Sequence, residues 1–356
     1  MKKSNFLRYL WYRLENGALR TLVLTVLSVI LAQSVISDEI KYYDIESIRY
    51  IDSGIYILAV VLGIVCTLIP MLENMGFKNR RNLDTLYFFP IKREKMAAAH
   101  FLGGFIQAVF VYTVTFVVAG VYLAIKTDFF ELYHLVPYYF LSLLLGFVIY
   151  SFFSFIFIQA NTVADGVVMS ALWAFGIWAV LYAMFVLTKS VYLNEYSYEA
   201  YVSMRSLANI PEWGIVYMPI NNLTVIYQSL IEANQSSWNE FAYAQRYLSQ
   251  YYFFIIWGLI GIACATGYFI TFKRRGAQNA GEISDSWLGY KLLIPIYGYS
   301  LLVMIGSVEI VTVLVFMMMI IGYVIYRRSF RLKASDLIVT ALGVFCYCHN
   351  NIHPFI

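Results

Sequence analysis

The sequence predicts an all-α, polytopic helical membrane protein, and three observations carry that expectation. Of the 356 residues 61% are hydrophobic and only 13% charged, with a mean hydropathy of +0.69, whereas a soluble domain carries about 25% charged residues. Apolar runs long enough to cross a hydrocarbon core of about 30 Å recur from end to end, which leaves no room for a separate soluble core. Residues 1–356 therefore read as one transmembrane domain. The loops between the runs alternate in charge, as they do when basic loops stay in the cytoplasm. This bias explains the small formal charge of +4 without any nucleic acid partner.

Residues 1–20 hold Lys2, Lys3, Arg8, Arg13 and Arg20 against Glu15, with Phe6, Leu7, Leu10, Trp11 and Leu14 at roughly helical spacing. That pattern predicts a short interfacial helix and a cytoplasmic N-terminus. It lacks the cleavage site of a signal peptide, so the first span, Leu19 to Ile36, is read as retained. An acidic loop, 38–53, lies outside. The second span, Ile55 to Leu72, is bent by Pro70 and returns the chain to the cytoplasm.

The longest charged segment lying between two apolar runs follows, Glu73 to His100. Six basic residues (Lys78, Arg80, Arg81, Lys92, Arg93, Lys95) face three acidic ones (Glu73, Asp84, Glu94). Before Pro90, Leu83, Leu86 and Tyr87 fall on one helical face with Arg80, Arg81 and Asp84 at its polar boundary, the shape of a second interfacial helix. After Pro90, the sequence IKREK runs without a glycine into the next span, so a helix is expected to project below the membrane before entering it.

The third span is Phe101 to Ile125, the fourth Pro137 to Gln159 and the fifth Val163 to Leu187. Only Asn161 and Asp165 mark the reversal between the last two, and Asp165 is read as a helix cap. Residues 189–250 are a weakly acidic excursion, assigned to the exterior and partly helical, with aromatic residues suited to an interfacial belt. The sixth span, Tyr251 to Phe272, leads into the basic stretch 273–291. From Leu292 to Tyr326 the apolar run would measure roughly 52 Å as one helix, so two short spans are expected, broken near Gly306 to Glu309. The basic cluster Arg327, Arg328, Arg331 and Lys333 precedes a final short crossing from Asp336. The expected total is eight or nine spans.

Catalytic signatures are missing. The sequence has no glycine-rich phosphate loop ending in Lys-Ser or Lys-Thr, no zinc-protease spacing and no serine elbow. Cys66, Cys264, Cys346 and Cys348 form no disulfide or metal framework, and Cys346, Cys348, His349 and His353 lack supporting carboxylates. Nearly every charge reads as a loop residue, which argues that free energy arrives from a partner. Glu309 and Asp165 are the candidates for a polar site within the membrane.

Asn79 to Gly104, NRRNLDTLYFFPIKREKMAAAHFLGG, closely resembles the segment of bacterial type-2 ABC transporter permeases in which basic residues and an aspartate precede a short proline motif and a basic-acidic-basic triplet. Arg80, Arg81 and Asp84 match its first part, Phe89-Pro90 the middle, and Lys92, Arg93, Glu94 and Lys95 the last. Phe89 stands where leucine is usual. Phe272 to Gly289 is similar to a basic segment of the Ytr-like permeases of Firmicutes, and Glu309-Ile310 followed by the Arg327 to Lys333 cluster adds a third likeness. The resemblance implies a multi-pass permease bundle in the bacterial cell membrane, paired with a second permease, identical or related, and with separately encoded cytoplasmic ATPase subunits. ATP and Mg would be used by those partners and no cofactor bound by this chain. Within it, residues 73–99 would be the coupling segment, with Arg80, Arg81, Asp84, Pro90, Lys92, Arg93, Glu94 and Lys95 as its contact residues. The implied function is non-catalytic: ATP-driven export of a peptide, antibiotic or lipid-like compound. The alternative is a non-transporting sensor or scaffold for a cell-envelope compound.

Overall fold

The computed structural model describes residues 5–42, 52–79, 91–126, 135–176, 180, 252–274, 281–282, 284, 286, 288–305, 309–327, 329–330, 333–334 and 336–341. Among the described residues every regular element is helical. In chain order they are α1 (Asn5–Tyr42), α2 (Asp52–Asn74), α3 (Arg93–Lys126), α4 (Leu135–Gln159), α5 (Val163–Gly176), α6 (Tyr252–Arg274), α7 (Tyr290–Ile305) and α8 (Glu309–Arg327). A 3₁₀ turn, Met75–Lys78, extends α2. Five of these helices, α1 to α4 and α6, are long and apolar enough to cross a membrane. The excursion 189–250 lies outside the described residues.

One compact unit is formed by Met1–Ile158 with Val216–Ala280, and it holds α1 to α4 and α6. Contacts fix the direction of each helix. Tyr9 meets His100 and Ser28 meets Thr115, so partners advance together and α1 runs parallel to α3. Thr113 meets Tyr139 while Gly104 faces Tyr150, so α4 runs back against α3. Gly261 faces Val148 and Gly267 faces Phe155, which makes α6 parallel to α4.

Two boundaries differ from expectation. The interfacial helix and first span are one helix of 38 residues, about 57 Å long. The reason is electrostatic: Arg13 and Arg20, which an interfacial helix would turn to water, are paired with Glu73, so the opening turns follow the apolar run instead. At the start of α5 it is Thr162 that caps, its Oγ1 accepting the Asp165 N–H at 3.0 Å, because the hydroxyl sits three residues ahead of the first free donor. The α3 helix runs from the KREK sequence into the third apolar run without a break, as expected. α3 runs unbroken for 34 residues, and its first turn closes when Met96 N–H donates to the Lys92 carbonyl at 3.0 Å.

The other unit, Gln159–Ile215 with Gly281–Ile356, holds α5, α7 and α8. The long apolar run forms two helices, α7 ending at Ile305 and α8 starting at Glu309, and the expected break near Gly306 to Glu309 falls largely outside the described residues. Gly298 faces Met319 and Gly322 faces Ile294, an antiparallel hairpin in which Leu302 and Val315 share a buried cluster. Segment 281–297 is strapped to α5 by Trp173 Nε1 donating to the Leu288 carbonyl at 2.8 Å and by Tyr297 donating to that of Leu172 at 2.6 Å. The C-terminal end of α8 is closed by a bidentate pair, Arg327 to Asp336 at 2.5 and 2.8 Å.

α6 carries its own control for helix packing. A Cβ at Gly267 would lie 2.7 Å from the Phe155 ring, whereas one at Gly258 would meet nothing within 4 Å. Gly267→Ala should therefore destabilise the detergent-purified protein by about 1–3 kcal/mol through overpacking. Gly258→Ala should be neutral or slightly stabilising, since alanine is the better helix former by about 1 kcal/mol. Thermal unfolding of the two variants checks the contrast.

Candidate functional site

An ionic cluster lies at the end of the first unit where α1 and α3 begin and α2 and α6 finish. At its centre is Glu73, in the last turn of α2, with a side chain 0% exposed. Arg13 and Arg20 both reach its carboxylate from α1. They lie seven residues apart with Gly17 between them, so all three share one helical face. From α3, Gln107 donates through Nε2 to Glu73 Oε1 at 3.2 Å, while its own Oε1 accepts from Arg20 Nε and Nη2 at 3.3 and 3.0 Å.

His100 stands one helical step outward. Its Nδ1 lies 3.2 Å from the Glu73 backbone carbonyl and its Nε2 2.9 Å from the Tyr9 hydroxyl. A neutral imidazole protonated on Nδ1 satisfies both contacts, because the carbonyl only accepts and the hydroxyl can donate. Arg13 also approaches that carbonyl, at 3.5 Å. Two guanidiniums against one carboxylate leave a surplus positive charge. The free carbonyls at the C-terminus of α2, equivalent to about half a negative charge, offset part of it.

Space for the cluster comes from missing side chains. A Cβ on Gly17 would collide with the Gln107 amide, and one on Gly104 would lie 2.8 Å from Glu73 Cγ. These two glycines let α1 and α3 close on the carboxylate from both sides.

The turn leaving α2 is locked just below. Asn74 donates to the Pro70 carbonyl at 2.8 Å and accepts from the Tyr268 hydroxyl of α6 at 3.0 Å. Phe77 is buried edge-on against His100 and Phe272, with ring centroids 4.5 and 4.8 Å away. Lys78, 4% exposed, donates to the Phe157 carbonyl at 2.5 Å and lies over that residue's ring. A cation on the last carbonyls of α4 is favourable there.

The exposed apolar residues of α3 set the level of the site. They run from Leu102 to Ile125, about 35 Å along the axis and close to one hydrocarbon thickness of about 30 Å. Gln107 is thus about 7 Å inside the end of that exposed apolar band. Lys92 to Lys95 stand about 10–15 Å outside it.

Of the residues expected to form the coupling contact, Arg80, Arg81, Asp84 and Pro90 lie outside the described residues. Lys92, Arg93, Glu94 and Lys95 are exposed at the head of α3, and Glu94 pairs with Lys273 of α6 at 2.7 Å. Asp165 is half-buried in the first turn of α5 and accepts from the Tyr290 hydroxyl at 3.1 Å. Glu309 opens α8. Cys346, Cys348, His349 and His353 lie outside the described residues.

The expectation that charges are confined to loops is corrected by Arg13, Arg20, Glu73 and Lys78, which pack inside the bundle beside the neutral His100. Two signals pointed there: the shared face of Arg13, Gly17 and Arg20, and a lone acid ending an apolar helix. Comparison with protein-family models and with curated proteins gives no match for this chain.

The cluster behaves as a closed set, so removing its one anion should cost more than removing all its charges. Glu73→Ala is expected to lower stability by about 3–5 kcal/mol, leaving two guanidiniums without a counter-charge. Arg13→Met, Arg20→Met and Glu73→Leu together should recover most of that loss. Thermal unfolding in detergent measures both, and a Glu73→Ala variant within about 1 kcal/mol of the parent would refute the closed-set account.

Proposed function

We propose that this chain is the membrane-spanning permease subunit of an ATP-driven, type-2 ABC transporter of a bacterial cell membrane. It has eight or nine spans and a cytoplasmic N-terminus, and exports a peptide, antibiotic or lipid-like amphipathic compound. It works with a second permease, identical or related, and with cytoplasmic ATPase subunits that consume ATP and Mg. Residues 73–99 are the coupling segment.

The observation that carries this reading is the continuity of α3. One helix joins an exposed basic stub, Lys92 to Lys95, to the Gln107 that grips both Glu73 and Arg20. A push on the stub by a cytoplasmic partner is therefore delivered to α1 and α2 within the bundle. The other end of the segment is held as firmly, since Phe77 and Lys78 anchor it to α3, α4 and α6. The likeness of Asn79 to Gly104 to the permease segment points to the same partner.

A P-loop ATPase is expected to co-purify with this chain from the cells that make it. Charge reversal at Arg80, Arg81, Lys92 and Arg93 should abolish that association, because charges of one sign at an interface set register and on-rate. An ATPase that neither binds the parent chain nor loses binding on reversal would remove the coupling assignment.

A further inference from the structure

We infer that the docking surface for the cytoplasmic partner is built from two segments distant in sequence, the Lys92–Lys95 stub of α3 and the end of α6 at Lys273 and Arg274, and that it receives an acidic protein face. The inference rests on the reading of this chain as an ATPase-coupled permease and extends its contact beyond residues 73–99. All six side chains are exposed. Five are basic and one is acidic, so the surface is strongly cationic.

The one acid is not spent on stability. Glu94 and Lys273 are 65% and 67% exposed at 2.7 Å, and a pair so open to solvent contributes about 0–1 kcal/mol at most. Its information is geometric: the contact places the head of α3 beside the tail of α6, so that the remaining cations form one surface. Both helices also lead to the buried cluster, α3 through His100 and Gln107, and α6 through Tyr268 on Asn74 and Phe272 against Phe77. A partner seated across the two ends would act on the turn after α2 from both sides.

Basic helix ends also attract anionic lipid headgroups, and the level of the stub decides between the two. The headgroup layer adds about 5–8 Å on each side of the hydrocarbon. Lys92 to Lys95 stand about 10–15 Å beyond the last exposed apolar residue of α3, past that layer. The backbone of Lys273 follows the exposed Ile270 of α6 by only about 5 Å, but its Nζ reaches Glu94 at 2.7 Å and so shares that outer level, where an acidic protein surface rather than a lipid meets both.

A photoreactive amino acid placed at Lys95, at Arg274 and, as a lipid-facing control, at Leu259 of the full-length chain tests this in intact cells, with products identified by mass spectrometry. The same P-loop ATPase should be captured from positions 95 and 274 and not from 259, and Lys273→Glu with Arg274→Glu should cut the yield at position 95 about five- to tenfold. Capture of that ATPase from 95 while 274 yields lipid alone or no product would overturn the two-segment surface and leave the coupling segment standing. If neither position captures an ATPase, the permease reading fails first and this inference fails with it. An undiminished yield at 95 in the Lys273→Glu, Arg274→Glu chain would also overturn it.

Discussion

Glu73 sets the terms for the rest of the first unit. A carboxylate with no exposed surface, just inside the apolar layer, costs several kcal/mol unless cations and hydrogen-bond donors surround it. α2 carries no cation and its Asn74 amide is spent on the Pro70 carbonyl, so the counter-charge must come from other helices. Arg13 and Arg20 supply charge from α1, Gln107 supplies an amide from α3, and His100 covers the neighbouring carbonyl. Satisfying one side chain thus brings three helices together at a fixed level and in fixed directions. Gly17 and Gly104 are the sequence's concession to that geometry, since any side chain there would occupy the space the cluster needs.

A buried ionic set of this kind is a modest source of net stability compared with a well-packed apolar core. What it provides is position. An apolar interface between membrane helices tolerates small sliding, because one leucine surface packs much like the next, while a carboxylate held by several donors admits few arrangements. The cluster sits at the end of α2, beside the turn that holds Phe77 and Lys78. A displacement arriving there either moves α1, α2 and α3 together or breaks the set, and both outcomes suit the proposed role in transmitting work from a cytoplasmic partner.

Much of the architecture was legible from hydrophobicity and charge. The break between α7 and α8 followed from length alone, since a run of that extent exceeds a bilayer as one helix. The continuity of α3 through IKREK followed from good helix formers and the absence of glycine. The site was less legible, for a physical reason. Charge counting treats every basic residue near a helix end as solvated, so it assigns Arg13, Arg20 and Lys78 to the cytoplasmic side. Their pairing depends on α1 and α2 meeting at one level, and no single segment encodes that. Arg80, Arg81, Asp84 and Pro90 remain part of the coupling proposal on the strength of the resemblance.

The central claim is that Glu73 and its arginines interact strongly because they are withdrawn from water. A double-mutant cycle on Glu73 and Arg20, read by unfolding free energy in detergent and run beside the same cycle on the exposed pair Glu94 and Lys273, measures this directly. The account predicts a coupling of at least about 1.5 kcal/mol for the first pair, as for close, desolvated charges, and less than about 1 kcal/mol for the second. Equal, small couplings at both would contradict it, for they would mean that Glu73 lies in water and holds nothing together.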